Sequence, residues 1–291
     1  MRPNLLRAAL VLFILFTASG VYAESSVWMV SSSKANIYLA GSFHMLRSSD
    51  YPLPAEFFTA YKNSRKIIFE VPPGETDNPE HMGGFLSGAI YTDGTTLKDH
   101  ISSAAYAKTE KFCKEHNYPL EQYQIFKPAL FLTMLTVLEM NRIGADPQKG
   151  VDNFFKEKAL QDGKATGSLE TVDQQLKLLL SMDESLGSDQ IIESIDEFKQ
   201  IEAELGEYLA VWRKGDEVRM EELFIKDFRS YKKLYQALIV DRNNKWMTDI
   251  TNFLNGSANT MIIVGAAHLV GPDGLVNLLR KRGYQVVKLQ K

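Results

Sequence analysis

Short apolar runs either side of a Ser-Ser-Ser-Lys segment, VWMV and NIYLAGSFH, predict two strands joined as a hairpin. Pro52 and Pro54 then lead into AEFFTAYKNS, whose apolar positions recur at helical spacing, with Pro54 suited to the first turn. KIIFEV is a β-branched strand stopped by the loop residues PPGETDNPE. From about residue 95 to 255 helical periodicity dominates, interrupted by GKATGSLET, which reads as one more short strand. PALFLTMLTVLEMNRIG is apolar nearly all round and predicts a buried helix. SDQIIESIDEFKQIEAELGEYLAVWRKG and DEVRMEELFIKDFRSYKKLYQALI predict two long amphipathic helices, with Gly215 as a helix stop and Asp216 as the next N-cap. DRNNKWMTDITNFLN predicts a further helix, TMIIVGAAH a strand, PDGLVNLLRKRG a helix with Pro272 near its start, and YQVVKLQ a closing strand. Strands at both ends of a helical middle place the chain in the α/β (α+β) class.

The two ends echo each other. NIYLAGSFH (36–44) and TMIIVGAAH (260–268) are both apolar strands ending in Gly-x-x-His, each followed by a Pro-containing loop and a helix. A central sheet built from two related strand–Gly-x-x-His–helix halves, enclosing a large helical segment at about 95–255, follows from that repetition. Gly41 and Gly265 are expected to let the backbone turn tightly and carry each histidine over the sheet end.

The first 23 residues differ from the rest. Arg2 and Arg7 flank a start that continues into the apolar run AALVLFILF, and Val21 and Ala23 occupy the −3 and −1 positions of a cleavage site. This is the pattern of a signal peptide, so the mature chain is expected to be exported, periplasmic or secreted, after cleavage near Ala23. No later segment is apolar for long enough to span a bilayer, so no transmembrane segment is expected in the mature chain. The net charge of −3 and the lack of a basic stripe argue against nucleic acid as a partner. With one cysteine, Cys113, no internal disulfide is possible, and its charged helical surroundings suit a packed or surface thiol rather than a nucleophile.

Four polar residues stand where apolar strands end: His44, Glu70, Glu170 and His268. In α/β sheets ligands bind outside the carboxyl ends of strands. A carboxylate there must be paired, hydrogen-bonded or bound to a cation. Two imidazoles and one or two carboxylates form a ligand set for a divalent transition metal, with an open position for water. Arg242 and Asn243, at the start of DRNNKWMTDI, could hold a substrate oxygen or orient Glu70 or Glu170, or make a surface salt bridge. His81, His100 and His116 read as solvated or capping residues, although the loop of His81 follows the Glu70 strand and could fold over the site. Phe57, Phe58, Phe131, Trp212 and Trp246 follow helical spacing and read as core. No P-loop, dinucleotide fingerprint, His-Glu-x-x-His helix or Gly-x-Ser-x-Gly elbow is present.

LAGSFHMLRSSDYPLP, KIIFEV, SLET with DQQLKLLLSM, DRNNKWMTDI and VGAAHLVGPDGLVNLLRKRGYQVVKL together resemble the TraB/GumN family, to which the Tiki metalloproteases belong. The resemblance spans residues 24–291 nearly throughout. It implies a domain related to the erythromycin-esterase and ChaN-like folds, with the paired Gly-x-x-His motifs and a Glu as a metal-dependent centre that cleaves peptide bonds. Carried over, these are Gly41 to His44, Glu70, and Gly265 to His268, with Glu170 in the Leu-Glu-Thr block and Arg242 and Asn243 in the Arg-Asn block. Ser168 stands where a Gly is expected before the Leu of that block, which bears on the local turn.

The expectation is an exported metal-dependent hydrolase, a peptidase acting on a peptide or protein substrate. His44, Glu70 and His268 would bind a divalent cation (Zn, Mn or Co) that activates a water. Glu70 and Glu170 could exchange the roles of ligand and base, and Arg242 would steady the oxyanion. The rivals are a non-enzymatic metal- or haem-binding envelope protein and a scaffold in envelope or polysaccharide assembly.

Overall fold

A computed structural model describes residues 25–75, 78–184 and 186–290. Residues 1–23, read above as a signal peptide, lie outside them. Six strands form one mixed sheet: β1 Val27–Ser31, β2 Asn36–Ser42, β3 Lys66–Phe69, β4 Ala165–Ser168, β5 Thr260–Gly265 and β6 Gln285–Lys288, in the order β4-β3-β5-β2-β1-β6. β1 and β2 form the expected hairpin, and β6 adds antiparallel to β1. The other neighbours are parallel, with Ser42 opposite Gly265, Ile68 opposite Ile262 and Phe69 opposite Ser168. The central strand β5 is buried at every position, as a parallel strand covered on both faces must be. Because β2, β3, β4 and β5 run the same way, their carboxyl ends share one rim of the sheet.

The helices used below are α1 Ala55–Asn63, α2 Pro79–Ala89, α3 Ser103–His116, α4 Pro128–Arg142, α5 Val151–Gln161, α6 Val172–Ser181, α7 Ser188–Glu197, α8 Ile201–Lys214, α9 Asp241–Asn255 and α10 Leu275–Lys281. Two apolar cores result. The larger joins the sheet to α1, α5, α8, α9 and α10, and contains Phe57, Trp212 and Trp246. The smaller lies wholly in the helical middle, where Leu97, Phe112, Cys113, Phe131, Leu135, Ile191 and Phe198 meet. Phe58 is only partly buried, packed against the larger core. Cys113 is a packed thiol, pushed up to about 11 by burial.

Several sequence expectations need correction. The first long amphipathic helix breaks at 198–200, because Phe198 belongs to the smaller core while Leu205, Leu209 and Trp212 belong to the larger. Two cores set the two halves, and the axis cannot serve both. The second long helix gives way to π turns at Glu222–Lys226 and Gln236–Val240. Helix α4 is one-sided rather than buried all round: Thr133 and Thr136 face solvent, their hydroxyls bonded to the carbonyls of Ala129 and Leu132. Pro272 lies in the turn before α10, which starts at Leu275. His81 is in α2, not in a loop, since Asn78 caps that helix and Pro79 fits its first turn. His100 ends a short helix, Leu97–His100, and is stacked on Tyr91. Gly215 does stop α8, in a left-handed conformation, and Asp216 does cap the next helix.

Candidate functional site

Each of the four strand-end residues leaves the same rim. His44 follows β2, Glu70 follows β3, Glu170 lies two residues beyond β4, and His268 closes a short 3-10 turn after β5. Glu170 N–H donates to the carbonyl of Glu70 at 2.9 Å, which ties the two acidic strand ends together. Glu70, Glu170 and His268 are buried, whereas the His44 side chain is 61 % exposed at the mouth of a crevice.

The site converges on Gly265. A Cβ built there would sit 3.3 Å from His44 Nε2, 3.4 Å from Glu70 Oε1 and 3.6 Å from His268 Cδ2. Gly41 and Gly265 have no positive φ, so neither is needed for a tight turn as the sequence suggested. Their value is close approach. Gly41 lets Ser26 and Ala266 close in on β2, and Gly265 leaves room for His44, Glu70 and His268. At Gly150 a Cβ would collide with the His44 carbonyl at 2.3 Å. The start of α5 therefore packs directly on the first Gly-x-x-His segment, held by Val151 N–H on the Phe43 carbonyl at 2.9 Å.

Both imidazoles are pinned through Nδ1. His44 Nδ1 lies 3.0 Å from Asp152 Oδ1, an oxygen that also accepts the Ser42 hydroxyl at 2.5 Å. His268 Nδ1 lies 2.8 Å from Asn243 Oδ1. The Asn243 amide nitrogen donates to the carbonyls of His268 and Asp273, which fixes its oxygen toward the ring and so the proton on His268 Nδ1. Each Nε2 is thereby directed at the crevice. Partners of this kind on the far nitrogen orient imidazoles that bind metals.

Arg242 binds the cluster together. Its Nε and Nη2 make a fork on Glu170 at 3.2 and 2.7 Å, Nη2 also pairs with Glu70, and Nη1 meets His268 Nε2 at 2.9 Å and the Leu238 carbonyl at 3.3 Å. All five guanidinium N–H groups are engaged, so binding a substrate oxygen would require one of these bonds to be given up. Spacing on α9 explains the arrangement. Arg242, Asn243 and Trp246 share one face, and the Trp246 ring lies 4.6 Å from both the Arg242 Cζ and the His268 ring centroid. The π turn at Gln236–Val240 immediately precedes this face.

Charge follows from these contacts. Burial opposes ionisation of Glu70, but His268 (where acid protonates it), Arg242, His44 and the Gly265 N–H overcome it and hold the carboxyl at about 2. Burial, reinforced by Arg242 and His44, lowers His268 to about 3, so it is neutral at pH 7. Partial loss of hydration at the crevice mouth works against charge on His44, yet the Asp152 carboxylate outweighs it and raises the ring to about 9. Asp152 is itself lowered, its burial overcome by His44 and Ser42.

The structure brings together His44, Glu70, Glu170, Arg242, Asn243 and His268. His81 stays outside, between Asp173 at 2.8 Å and Glu75 at 3.2 Å. Sequence reasoning missed Asp152, Ser42 and Gln175. The amide of Gln175 lies 3.5 Å from both Glu70 and Glu170. For Asp152, its position in the first turn of a helix opened by Gly150 was the one available signal.

Among the described residues no group of three or more His, Cys, Asp or Glu is already disposed to hold a metal ion. The donor chemistry nevertheless fits: His44 Nε2 and Glu70 Oε1 both border the space beside Gly265, and His268 Nε2, engaged with Arg242, lies 4.0 Å from Glu70 Oε1.

The fold and rim define an α/β protein with a two-histidine, two-glutamate, one-arginine site at the carboxyl ends of parallel strands. The sequence model of the TraB/PrgY/gumN family matches residues 26–288, and the chain belongs to that family. It is 22 % identical over 268 residues to "Uncharacterized protein YbaP" of Escherichia coli (strain K12), covering 89 % of this chain and 93 % of that protein. It is 23 % identical over 252 residues to the protein of the same name from Shigella flexneri, covering 84 % and 87 %. No solved structure matches the chain. Among the described residues no helix is long and apolar enough to cross a membrane.

Proposed function

We propose that this protein is an exported metal-dependent hydrolase that cleaves peptide bonds at the sheet rim. The observation that carries the reading is the convergence of His44 Nε2, Glu70 Oε1 and the His268 ring beside Gly265, with each imidazole held by a partner on its other nitrogen. His44, Glu70 and His268 would hold a divalent cation (Zn, Mn or Co). Such a cation lowers the pKa of water it binds and polarises a carbonyl. Glu70, ionised down to about 2, supplies an anionic donor across the whole physiological range. Glu170 has both oxygens on Arg242, which favours Glu70 as ligand and Glu170 as the anchor of Arg242. Arg242 acts as a positioning residue for both carboxylates. His268 would exchange its Arg242 hydrogen bond for the cation, and His44 would release a proton.

The test is metal analysis of protein purified without a His-tag, together with peptide cleavage with and without chelator. Replacing His44 and His268 together by Ala is expected to abolish metal uptake while the circular dichroism spectrum is retained. Unchanged metal content in that variant rejects the assignment. A second reading, a non-enzymatic metal- or haem-binding protein, draws on the apolar crevice of about 530 Å³ beside the open His44 Nε2. A Soret band in the purified protein would favour it.

A further inference from the structure

The crevice has two lobes that share Ser42, His44, Glu70 and Gln175 and extend in different directions. The lobe over the Gly265–His268 segment is apolar. Phe43, Leu178, Leu179, Phe224 and Leu238 line it, all only half-buried, so their side chains present free apolar surface to whatever enters. The other lobe runs between the Pro72–Gly74 loop and α5; His44 and Lys156 are its cations, Glu70 and Asp152 its carboxylates, and of these Lys156 is the one without a partner in an ion pair among the described residues. Asp152 and Lys156 occupy the same face of α5, four residues apart. Asp152 is held by His44 and Ser42. Asn153, also on this lobe, has its amide nitrogen on the Gln148 carbonyl at 3.0 Å and side-chain oxygen at 2.9 Å. Lys156 has no ion-pair partner among the described residues, although it is half-buried and lines the lobe. A half-buried ammonium facing a concave surface beside a reaction centre is a complement for an anion.

We propose that the crevice selects peptides bearing an apolar side chain on one side of the scissile bond and a carboxylate on the other, with Lys156 pairing the carboxylate. This rests on the peptide-hydrolase reading above. The carboxylate could come from an acidic side chain or from the chain terminus, and the two sources are separable.

The probes are alanine-based heptapeptides, acetylated and amidated, with one Leu and one Glu at each spacing from it, and their Gln twins. A second set ends in a free carboxylate, with amidated twins. Binding is read in the presence of chelator from the fluorescence of the protein's 3 tryptophans, Trp246 lying beneath the site. One spacing, or the free terminus, is expected to bind roughly fivefold more tightly than its neutral twin. Lys156→Ala should erase the difference, Lys156→Arg retain it, and Lys156→Glu reverse it. Equal binding of the twins by the wild-type chain, discrimination that survives Lys156→Ala, or no binding of any peptide overturns the proposal. If Lys156-dependent discrimination is present but no peptide is cleaved with cation supplied, the hydrolase reading fails and the carboxylate subsite stands.

Discussion

The backbone N–H of Gly265 donates to Glu70 Oε1 at 2.7 Å, joining the second histidine strand to the carboxylate at the end of its neighbour. The same residue, lacking a side chain, leaves open the space on which His44 and His268 converge. Gly265→Ala is therefore expected to keep the fold, since its backbone conformation suits any residue, while forcing His44 and Glu70 outward by a few tenths of an ångström. If the proposed metal centre holds, cation affinity falls by about tenfold or more, as for other disturbances of ligand orientation. Calorimetric titration with Zn or Mn, alongside a thermal melt, checks it; an unchanged affinity would contradict the placement of the site.

Arg242 is the cation that compensates two buried carboxylates. Arg242→Met keeps the length of the side chain and removes the charge, leaving Glu70 and Glu170 facing each other uncompensated. The expected loss is about 3–5 kcal/mol of unfolding free energy at pH 7, measured by urea denaturation. The deficit should shrink at pH 5, because Glu70 without Arg242 can take up a proton.

His44 and Asp152 make a pH-dependent contact at the crevice mouth. The folded ring titrates at about 9 against 6.5 for a free imidazole, so the pair stabilises the protein fully below pH 6.5 and is lost as pH rises through 9. With the ring 61 % exposed, its worth is held to about 1 kcal/mol or less. Melting temperatures across pH 6.5–9.5 should decline for the wild type and flatten for Asp152→Asn. Parallel curves would remove Asp152 from the description of the site.

Burial gives His268 the opposite sign. Its folded value of about 3 lies below 6.5, so the unfolded chain takes up a proton first and stability falls as pH drops from 6.5 toward 3. Glu70 adds a loss of the same sign below 4.5, so the window that isolates His268 is pH 6.5 to 5. Denaturation midpoints in that window should drop for the wild type and less for His268→Gln.

The strand-end positions of His44, Glu70 and His268 were legible because a buried parallel strand writes a continuous apolar run, and a polar residue at its end stands out; Glu170 follows β4, a short edge strand of sequence ATGS with exposed positions, and stood out through its Leu-Glu-Thr block instead. Arg242 and Asn243 were legible as polar residues opening an amphipathic helix. Asp152 was not, because VDNFFKEKAL reads equally well as an ordinary helix start with an acidic first turn. Its role comes from Gly150 packing on His44, a contact between segments more than a hundred residues apart in the chain. The glycines of the two Gly-x-x-His motifs were noticed for the wrong physical reason: close approach, not turning. The long amphipathic stretch at 188–214 showed its periodicity but not its break, because periodicity records which face is apolar and not which core that face joins.

Local pattern was enough to determine the α/β class, the hairpin, the paired strand–Gly-x-x-His halves and the residue types that carry charge, since strand and helix periods are properties of neighbouring positions. Tertiary structure decided the strand order, which sets β5 between β2 and β3, and so put four distant side chains on one rim. It also decided that Arg242 bridges Glu70, Glu170 and His268, and which imidazole is charged. Those outcomes depend on burial and on distances across the sheet, and neither quantity exists until the chain has closed on itself.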